Sequence, residues 1–353
     1  MSLFSPLTIR EVQLRNRIAV SPMCQYSSED GFATDWHLVN MGSRAVGGAG
    51  LVMLEASAVV PEGRISPQDL GIWKDEHIAE LSRIARFIKE NGASPAIQLG
   101  HAGRKASMRR PWEPSGAVPE SEGGWSRVVA PSPIAFGPGY LVPEELSQAE
   151  IEGVIEAFAA AAKRSLDAGY EIIELHAAHG YLVHQFLSPI SNHRTDEYGG
   201  SYENRTRLVH QVVARLREVW PDNLPLFVRL SCTDYVDGGW DLDQTVQLSK
   251  ELHAAGVDVV DCSSGGNVSH AKYPIGPSYQ VPFAEAVRQA GVPSVAVGLI
   301  TEPQQANEII TSGKADLVML ARELLRDPYW PLHAAKVLGV DIEWPIQYAR
   351  AKN

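Results

Sequence analysis

The sequence predicts an α/β fold, a (β/α)8 TIM barrel, from three observations. Eight short apolar runs rich in β-branched residues alternate with eight amphipathic segments of helical periodicity. The runs are almost continuously apolar, as expected of parallel strands that are buried on both faces. Several helical segments end at a glycine just before the next strand, which is the usual C-terminal signal of a helix: Gly92, Gly169, Gly256, Gly291 and Gly313. An open doubly wound sheet is the alternative, but it rarely needs eight such regular units.

The predicted elements alternate along the whole chain. The strands are predicted at 17–23, 50–59, 94–101, 170–179, 224–232, 257–265, 293–300 and 315–322. The helices are predicted at 36–47, 75–91, 147–168, 204–219, 242–255, 281–290, 302–312 and 328–338. The first 16 residues are predicted to form a short hairpin that closes the floor of the barrel.

One connection, residues 102–146 after the third strand, is unusually long. It is rich in Pro, Gly and Trp, and loops of this length in compact domains are usually functional lids or subdomains. A solvated excursion is the alternative, which the aromatic content of the segment disfavours. No linker or repeat divides the chain, so we predict a single domain over 1–353, with a C-terminal tail at 340–353.

Composition favours a soluble globular protein with an ample core. The chain has 353 residues, 44% of them hydrophobic, and a formal net charge of −11. No basic stretch offers a surface for nucleic acid, no apolar run is long enough to span a membrane, and the N-terminus lacks the apolar region of a signal peptide. Three scattered cysteines, Cys24, Cys232 and Cys262, form no disulfide framework and predict a reducing cytoplasm.

Polar residues or glycines follow every predicted strand, and in a barrel of this kind the chemistry lies at the carboxyl ends of the strands. Gly265, Gly266 and Gly298 after two late strands, and Arg322 after the last, match the usual phosphate site of such barrels. There, backbone N–H groups and a short helix N-terminus bind the anion. The alternative is that Gly298 only ends its strand and that Arg322 only pairs with a neighbouring carboxylate.

The stretch HAAHGY at the end of the fourth strand contains His176, His179 and Tyr181. An H-x-x-H pair could bind zinc, with Cys24 and His101 as further ligands. Two neutral imidazoles could instead donate hydrogen bonds to a substrate oxygen on which negative charge develops, with Tyr181 as the general acid. Histidines that are simply satisfied in the core are the third interpretation, and it explains a single histidine better than this trio.

Arg229 lies inside the apolar strand FVRLS. A buried arginine is rare and needs a partner. It could pair with a core carboxylate, or it could present a fixed positive charge to an electron-rich cofactor and stabilise its anionic reduced state.

These motifs together resemble the old yellow enzyme family of flavin-dependent ene-reductases, and most closely its thermophilic-like subgroup. The resemblance covers residues 3 to 350 and rests on SPMCQYS, GRISPQDLGIWKDEH, IQLGHAGRKA, ELHAAHGYL, QFLSPISNHRTDEYGGSYENR, FVRLS, DCSSGG and LARELLRDPYW. It implies a barrel with tightly but non-covalently bound FMN that reduces activated C=C bonds with NADPH or NADH in a ping-pong cycle. The resemblance implies hydride transfer from FMN to an α,β-unsaturated carbonyl or nitro compound.

The resemblance also assigns residues to this chemistry. The residues implied to bind FMN are Ser21, Pro22, Met23, Cys24, Ala56, Gln98, Arg229, Gly298, Ala321 and Arg322. Those implied to face the substrate are Tyr26, Lys105, His176 and His179, with Tyr181 as the proton donor. The family commonly has glycine at position 321, so alanine there would weaken phosphate binding only if the position needs a positive φ.

The C-terminal WPIQYAR resembles a tail that reaches into a neighbouring subunit's active site. This nominates Tyr348 and Arg350 and implies a homodimer or a dimer of dimers. A frayed terminus is the alternative for Arg350. The loop 196–205 is predicted to be structural, bracing itself and capping the helix that follows, and His184 is predicted to be an ordinary loop or helix-surface histidine.

Other functions compete with an ene-reductase. Another FMN barrel, of the dienoyl-CoA reductase or dihydroorotate dehydrogenase type, shares the fold, although the former typically carries a cysteine cluster that this chain lacks. A zinc-dependent barrel hydrolase would use the histidines as ligands. A flavin carrier without catalysis leaves the paired histidines and the tyrosine unexplained.

Overall fold

The computed structural model describes residues 1–352 and confirms the predicted barrel. Its strands are β1 (Leu7–Ile9), β2 (Val12–Leu14), β3 (Ile18–Val20), β4 (Leu51–Ala58), β5 (Ser94–Gly100), β6 (Val129–Ala130), β7 (Glu144–Glu145), β8 (Ile172–Ala177), β9 (Leu226–Ser231), β10 (Val259–Ser263), β11 (Ser294–Val297) and β12 (Leu317–Leu320). Eight of them, β3, β4, β5 and β8 to β12, form a closed barrel of parallel neighbours, in which β12 pairs with β3. Each barrel strand lies within a predicted one.

The helices are α1 (Asp35–Val46), α2 (Ile78–Glu90), α3 (Gln148–Asp167), α4 (Leu182–Leu187), α5 (Tyr202–Val219), α6 (Leu242–Ala254), α7 (Val281–Gln289), α8 (Pro303–Thr311), α9 (Arg322–Arg326) and α10 (Trp330–Val337). Eight of these match the predicted helices. The short helices α4 and α9 are additional, because five or six residues are too few to show a helical period. No helix among residues 1–352 combines the length and apolarity needed to cross a membrane.

The amino end of the barrel is filled with apolar side chains. Ile172, Phe227 and Val259, near the starts of β8, β9 and β10, belong to one buried cluster with Val12 and Leu14 of the hairpin. The antiparallel pair β1–β2 therefore closes the barrel floor, as predicted. Polar side chains are left for the carboxyl end.

Inward-facing residues recur with the period of two that strands impose. Above the apolar floor, β8, β9 and β10 contribute Glu174, Arg229 and Asp261, all buried. His176 comes next on β8 and Ser263 next on β10. The barrel interior thus changes from apolar to charged to hydrogen-bonding as it approaches the carboxyl ends of the strands.

The long segment 102–146 contains little regular structure. The strands β6 and β7 pair with each other, and Met108 bridges Ala117. Arg104, at its start, donates hydrogen bonds to the carbonyl oxygens of Ile134 and Asn267. These bonds tie the segment to itself and to the loop after β10.

Candidate active site

Residues 178–181, here called the histidine turn, follow β8 at the carboxyl end of the barrel. His179 has φ of 57° and Gly180 has φ of 70°, so two consecutive residues adopt the left-handed conformation. Every backbone N–H in the turn has an acceptor. Ala178 donates to Nδ1 of His176 at 3.2 Å and His179 donates to Oγ of Ser231 at 2.8 Å. Gly180 and Tyr181 donate to Nδ1 of His184 and to the carbonyl oxygen of Ala178 respectively.

The hydrogen bonds of His176 determine its tautomer. Because Nδ1 accepts the N–H of Ala178, a neutral imidazole must carry its proton on Nε2,. Burial, followed by the charge of Arg229, lowers the pKa of His176 well below its ordinary value. Burial also lowers the pKa of His179, with smaller contributions from His176 and Arg229. Both histidines are therefore neutral at physiological pH, and His176 presents an N–H donor.

The three residues of the HAAHGY stretch lie together. The rings of His176 and His179 have centroids 5.1 Å apart, and those of His176 and Tyr181 are 4.9 Å apart, both edge to face. Nε2 of His179 lies 2.6 Å from Oγ of Ser263. Burial raises the pKa of Tyr181 well above its ordinary value, with smaller contributions from Cys24 and Tyr26. The Tyr181 phenol therefore keeps its proton at neutral pH.

Residues 24–27, here called the N-terminal turn, follow β3 at the same end of the barrel. Tyr26 has φ of 51°, and its ring meets that of Trp112 edge to face at 5.7 Å. The N–H of Gln25 donates to Oε2 of Glu55 at 2.8 Å. Burial raises the pKa of the Cys24 thiol, and the nearby charges of Asp69 and Glu55 add to the rise. Cys24 is therefore a protonated thiol.

Arg229 pairs with a core carboxylate and also faces the open end of the barrel. Its Nε lies 2.5 Å from Oδ2 of Asp261, and its Nη2 donates to Oγ of Ser21 at 3.0 Å. The guanidinium lines a cavity of about 250 Å³ together with Ser21 and His179. Arg229 therefore pairs with a core carboxylate, which was one of its two interpretations, and its guanidinium also borders a cavity.

A second buried carboxyl lies beside this pair. Gln98 donates from Nε2 to Oε1 of Glu174 at 2.7 Å. Burial raises the pKa of Glu174 to about 8, and the neighbouring Asp261 adds to the rise. One of the two carboxyls therefore holds a proton at neutral pH, which leaves a single negative charge to balance Arg229.

The far side of the 250 Å³ cavity contains the predicted phosphate residues. Gly298, Ala321 and Arg322 line it together with Pro22 and Met23. Gly298 has φ of 115°, and a Cβ there would lie 2.8 Å from Nε2 of Gln280, so glycine is required,.

Position 321 does not require glycine, because φ of Ala321 is −106°. Arg326, rather than Arg322, pairs with Glu323, and among residues 1–352 no hydrogen bond or ion pair engages the guanidinium of Arg322. The predicted departure from the family pattern therefore leaves a backbone N–H and a positively charged side chain available at this end.

Two other glycines lie elsewhere than predicted. Gly265 and Gly266 do not line the cavity with Gly298. A Cβ on Gly266 would lie 2.6 Å from the backbone of His179, and one on Gly265 would lie 2.1 Å from the ring of Tyr273. Gly265 and Gly266 allow the loop after β10 to approach its neighbours closely, and they lie apart from the residues that line the cavity with Gly298.

Lys105 and Ala56 lie on the opposite side of the histidine turn. Nζ of Lys105 donates to the carbonyl oxygens of His179 and Gly266 and lies 4.9 Å from the centre of the Tyr181 ring. Burial, followed by the charge of Arg104, lowers the pKa of Lys105 to about 7. Ala56 lines a narrow cleft together with His176 and Tyr181.

The tail does not reach the site of its own chain. The hydroxyls of Tyr348 and Tyr329 lie 3.3 Å apart, and Arg350 is exposed. Neither Tyr348 nor Arg350 lines the cavities at the carboxyl end of this barrel.

The structure corrects the prediction for His184. Its side chain is completely buried, inside α4, and contacts the histidine turn. Nothing in its sequence neighbourhood signalled this, because α4 itself was not predicted. The loop 196–205 has the bracing contacts expected of it: Asp196 pairs with Arg194, and Oγ of Ser201 accepts the N–H of Asn204 at the start of α5.

The residues proposed as zinc ligands do not form a metal site in the structure. Among residues 1–352, no group of three or more His, Cys, Asp and Glu side chains is arranged to hold a metal ion. Nδ1 of His101 accepts the N–H of Gly103 at 3.0 Å, and Nδ1 of His176 is similarly engaged.

The chain is similar to known proteins over nearly its whole length. The model of the NADH:flavin oxidoreductase / NADH oxidase family matches residues 2–340. An NADPH dehydrogenase from Geobacillus thermodenitrificans is 49% identical over 351 residues, which cover 99% of this chain and 98% of that protein. Among solved structures, morphinone reductase in complex with tetrahydroNAD matches with a TM-score of 0.79 and 26% identity, covering 98% of this chain and 93% of the other. An old yellow enzyme homologue from Zymomonas mobilis matches with a TM-score of 0.78 and 25% identity, covering 98% and 96%.

Proposed function

Because the chain belongs to the NADH:flavin oxidoreductase / NADH oxidase family, we propose that it is an ene-reductase. It is a flavin-dependent oxidoreductase that uses FMN, with NADPH or NADH as the reductant. Its proposed substrates are α,β-unsaturated carbonyl and nitro compounds, whose activated C=C bond it reduces.

The residues around the cavity fit FMN. Arg229 is a buried cation facing the cavity, which suits the electron-rich pyrimidine end of the flavin,. Gly298, Ala321 and Arg322 supply backbone N–H groups and a guanidinium for the phosphate,. The remaining residues assigned to the flavin in this proposal are Ser21, Pro22, Met23, Cys24, Ala56 and Gln98.

When bound, FMN would supply the hydride-transfer chemistry that links NAD(P)H to the alkene. His176 and His179 hold the carbonyl or nitro oxygen of the substrate and stabilise the negative charge that develops on it. Tyr181 delivers its proton to the α carbon as a general acid. Tyr26 and Lys105 complete the substrate side of the pocket.

One observation carries this proposal. The neutral imidazole of His176 has its proton on Nε2 and lies edge to face against a protonated tyrosine. An N–H donor and an O–H donor therefore lie side by side in the narrow cleft that His176 and Tyr181 line. This cleft lies at the same end of the barrel as the cavity that His179 and Arg229 line. Reduction of an activated alkene requires both a hydrogen-bond donor for the substrate oxygen and an acid that protonates the α carbon.

The experiment is to separate the two half-reactions in Tyr181→Phe. The purified protein should be yellow, and its flavin absorbance should bleach when NADPH is added without oxygen. Tyr181→Phe should bleach at the wild-type rate but should reduce a simple cyclic enone more slowly by roughly 10²–10⁴-fold, the usual contribution of a general acid. Stopped-flow absorbance measures both rates.

Tyr198→Phe is the matched control. Tyr198 is also buried, but its hydroxyl donates to Gln211 away from the site. Both half-reactions should be unchanged in this variant. A Tyr181→Phe enzyme that fails to bleach with NADPH, or that reduces the enone normally, would refute the proton-donor role.

The remaining proposals concern the whole molecule. We propose a single domain in the cytoplasm that assembles as a homodimer or a dimer of dimers. Tyr348 and Arg350 are proposed to reach the active site of a neighbouring subunit, which is supported by their position in an exposed tail. No nucleic-acid or membrane partner is proposed.

A further inference from the structure

His184 and Asp234 form a completely buried pair directly behind the histidine turn. Nε2 of His184 lies 3.1 Å from Oδ1 of Asp234, and both side chains are 0% exposed. On its other side, Nδ1 of His184 accepts the N–H of Gly180 at 2.9 Å. Gly180 is the residue between His179 and Tyr181, so the pair contacts the turn at its midpoint.

The contacts of this pair define its protonation. An Nδ1 that accepts an N–H carries no proton, so the ring proton of His184 is on Nε2, facing Asp234,. The other carboxylate oxygen of Asp234, Oδ2, accepts hydrogen bonds from Oγ of Ser188 at 2.5 Å and from the N–H of Trp240 at 2.9 Å. These bonds fix Asp234 at 3.1 Å from the imidazole, and the imidazole in turn accepts the N–H of Gly180.

The conformation of the turn needs such a contact. Left-handed φ at two consecutive residues persists only where surrounding contacts enforce it,. Gln185 holds the other backbone polar group of the same residue, because its Nε2 donates to the carbonyl oxygen of Gly180 at 2.7 Å. Residues 184 and 185 of α4 thus fix both the N–H and the C=O of Gly180.

We propose that His184 and Asp234 are positioning residues that set the placement of His179 and Tyr181 through the backbone N–H of Gly180. This inference rests on the proposed roles of His179 and Tyr181. His184 itself lines neither cavity at the carboxyl end of the barrel. Its contribution to activity is the geometry of the turn.

Two amide replacements of His184 separate this role from simple burial. His184→Asn keeps an oxygen near the place of Nδ1 and so retains the acceptor for Gly180, but it no longer reaches Asp234. His184→Gln keeps a donor near the place of Nε2 for Asp234, but it loses the acceptor for Gly180. Each variant leaves one buried polar group without its partner, so their stability losses should be similar.

The variants should differ in function. In the FMN-loaded enzyme, His184→Gln should lower the ratio of enone reduction to NADPH bleaching by about 100-fold, as expected for a displacement of about 1 Å. His184→Asn should retain that ratio to within about tenfold of the wild type. Hydrogen exchange of the peptide that contains Gly180 should be fast in His184→Gln and slow in His184→Asn.

His210 supplies the control. It pairs with Glu251 at 3.1 Å, as His184 does with Asp234, but on the surface of α5. Its Asn and Gln variants should match the wild type in the ratio of rates and in exchange at Gly180. Equal effects of His184→Asn and His184→Gln, or an unchanged ratio when Gly180 exchanges fast, would overturn the inference. If the wild type reduces no enone, the proposed function fails, and exchange at Gly180 still decides whether His184 holds the turn.

Discussion

The two turns at the mouth of the barrel are held by the same kinds of groups in opposite order. In the histidine turn, an imidazole (His184) accepts the backbone N–H, and a carboxylate (Asp234) lies behind it. In the N-terminal turn, a carboxylate (Glu55) accepts the backbone N–H, and an imidazole (His37) lies behind it at 3.2 Å. Both turns are fixed at the residue between two side chains of the site.

The order of the groups has an electrostatic consequence. A carboxylate close to a histidine favours the charged imidazolium, whereas a carboxylate close to a thiol or phenol favours the neutral acid. Glu55 lies near Cys24 and Tyr26, and its charge helps to raise the pKa of both. Asp234 is one residue further back, so the imidazole of His184 separates its charge from His179. Each arrangement keeps its site residues uncharged.

Replacing Gly180 with alanine should have the largest effect of the changes that test this comparison. A Cβ at Gly180 would lie 2.1 Å from the carbonyl oxygen of Gly266, and φ is already 70°. We expect a loss of about 3 kcal/mol in the free energy of unfolding, from positive φ and backbone overlap together. Enone reduction should fall by about 100-fold. Denaturant titration and steady-state kinetics measure the two effects.

Two further variants sharpen this prediction. Gly200→Ala has the same conformational cost at φ of 82° but no atoms within 4 Å of the new Cβ, so it should lose only about 1 kcal/mol,. Gln25→Ala, at the midpoint of the N-terminal turn, keeps the N–H that Glu55 accepts. It loses the side-chain hydrogen bonds to the carbonyl oxygen of Met23 and from Nε1 of Trp36, and should also cost about 1 kcal/mol,. If all three variants lose the same free energy of unfolding, the tight packing around Gly180 makes no contribution to stability.

The sequence was sufficient to predict the barrel and most of its carboxyl end. Near-continuous apolar runs and C-terminal glycines located all eight barrel strands, because both features follow from burial on two faces and from helix termination. The rule that chemistry collects after the strands brought His176, His179, Tyr181 and Arg229 into one hypothesis. The structure places these four side chains at the same end of the barrel.

The second layer of residues could not be predicted in the same way. His184 looked like a surface residue because the six residues of α4 are too few to reveal which face points inward. Glu55 reaches Gln25 because the β4–β5 register shifts between Leu54 and Ala56, which leaves Glu55 as the extra residue of a bulge,. A bulge depends on the pairing between strands, which local sequence does not show.

Lys105, which contacts the histidine turn, should make the free energy of unfolding depend on pH above neutrality. Its pKa of about 7 is below the ordinary value of 10.5 because of burial and Arg104. The unfolded chain therefore binds more protons between about pH 7 and 10.5, so wild-type stability should rise with pH across this window,. Lys105→Met should reduce that slope by up to about 1.4 kcal/mol per pH unit.

Denaturant titrations at several pH values measure this slope. Lys89→Met, at an exposed position on α2, is the control for removal of a lysine charge. A slope for Lys105→Met that equals the wild-type slope would mean that Lys105 is not destabilised as a cation in the folded state. The hydrogen bond from Lys105 to the carbonyl oxygen of His179 would then form without the cost of burying a charge.

Glu55→Gln should have the smallest effect and tests the electrostatic half of the comparison. Glutamine keeps a side-chain oxygen for the N–H of Gln25, so the N-terminal turn should remain in place. The negative charge near Cys24 is lost, and the pKa of the thiol should fall, although burial and Asp69 still hold it above its ordinary value. Alkylation of Cys24 by iodoacetamide, followed against pH, should therefore be several-fold faster than in the wild type at a fixed alkaline pH, because the thiolate is the nucleophile.

Glu62→Gln, at an exposed position, controls for removal of a carboxylate. An unchanged alkylation profile in Glu55→Gln would show that Glu55 holds the turn only by its hydrogen bond, and the different order of groups in the two turns would then have no electrostatic purpose.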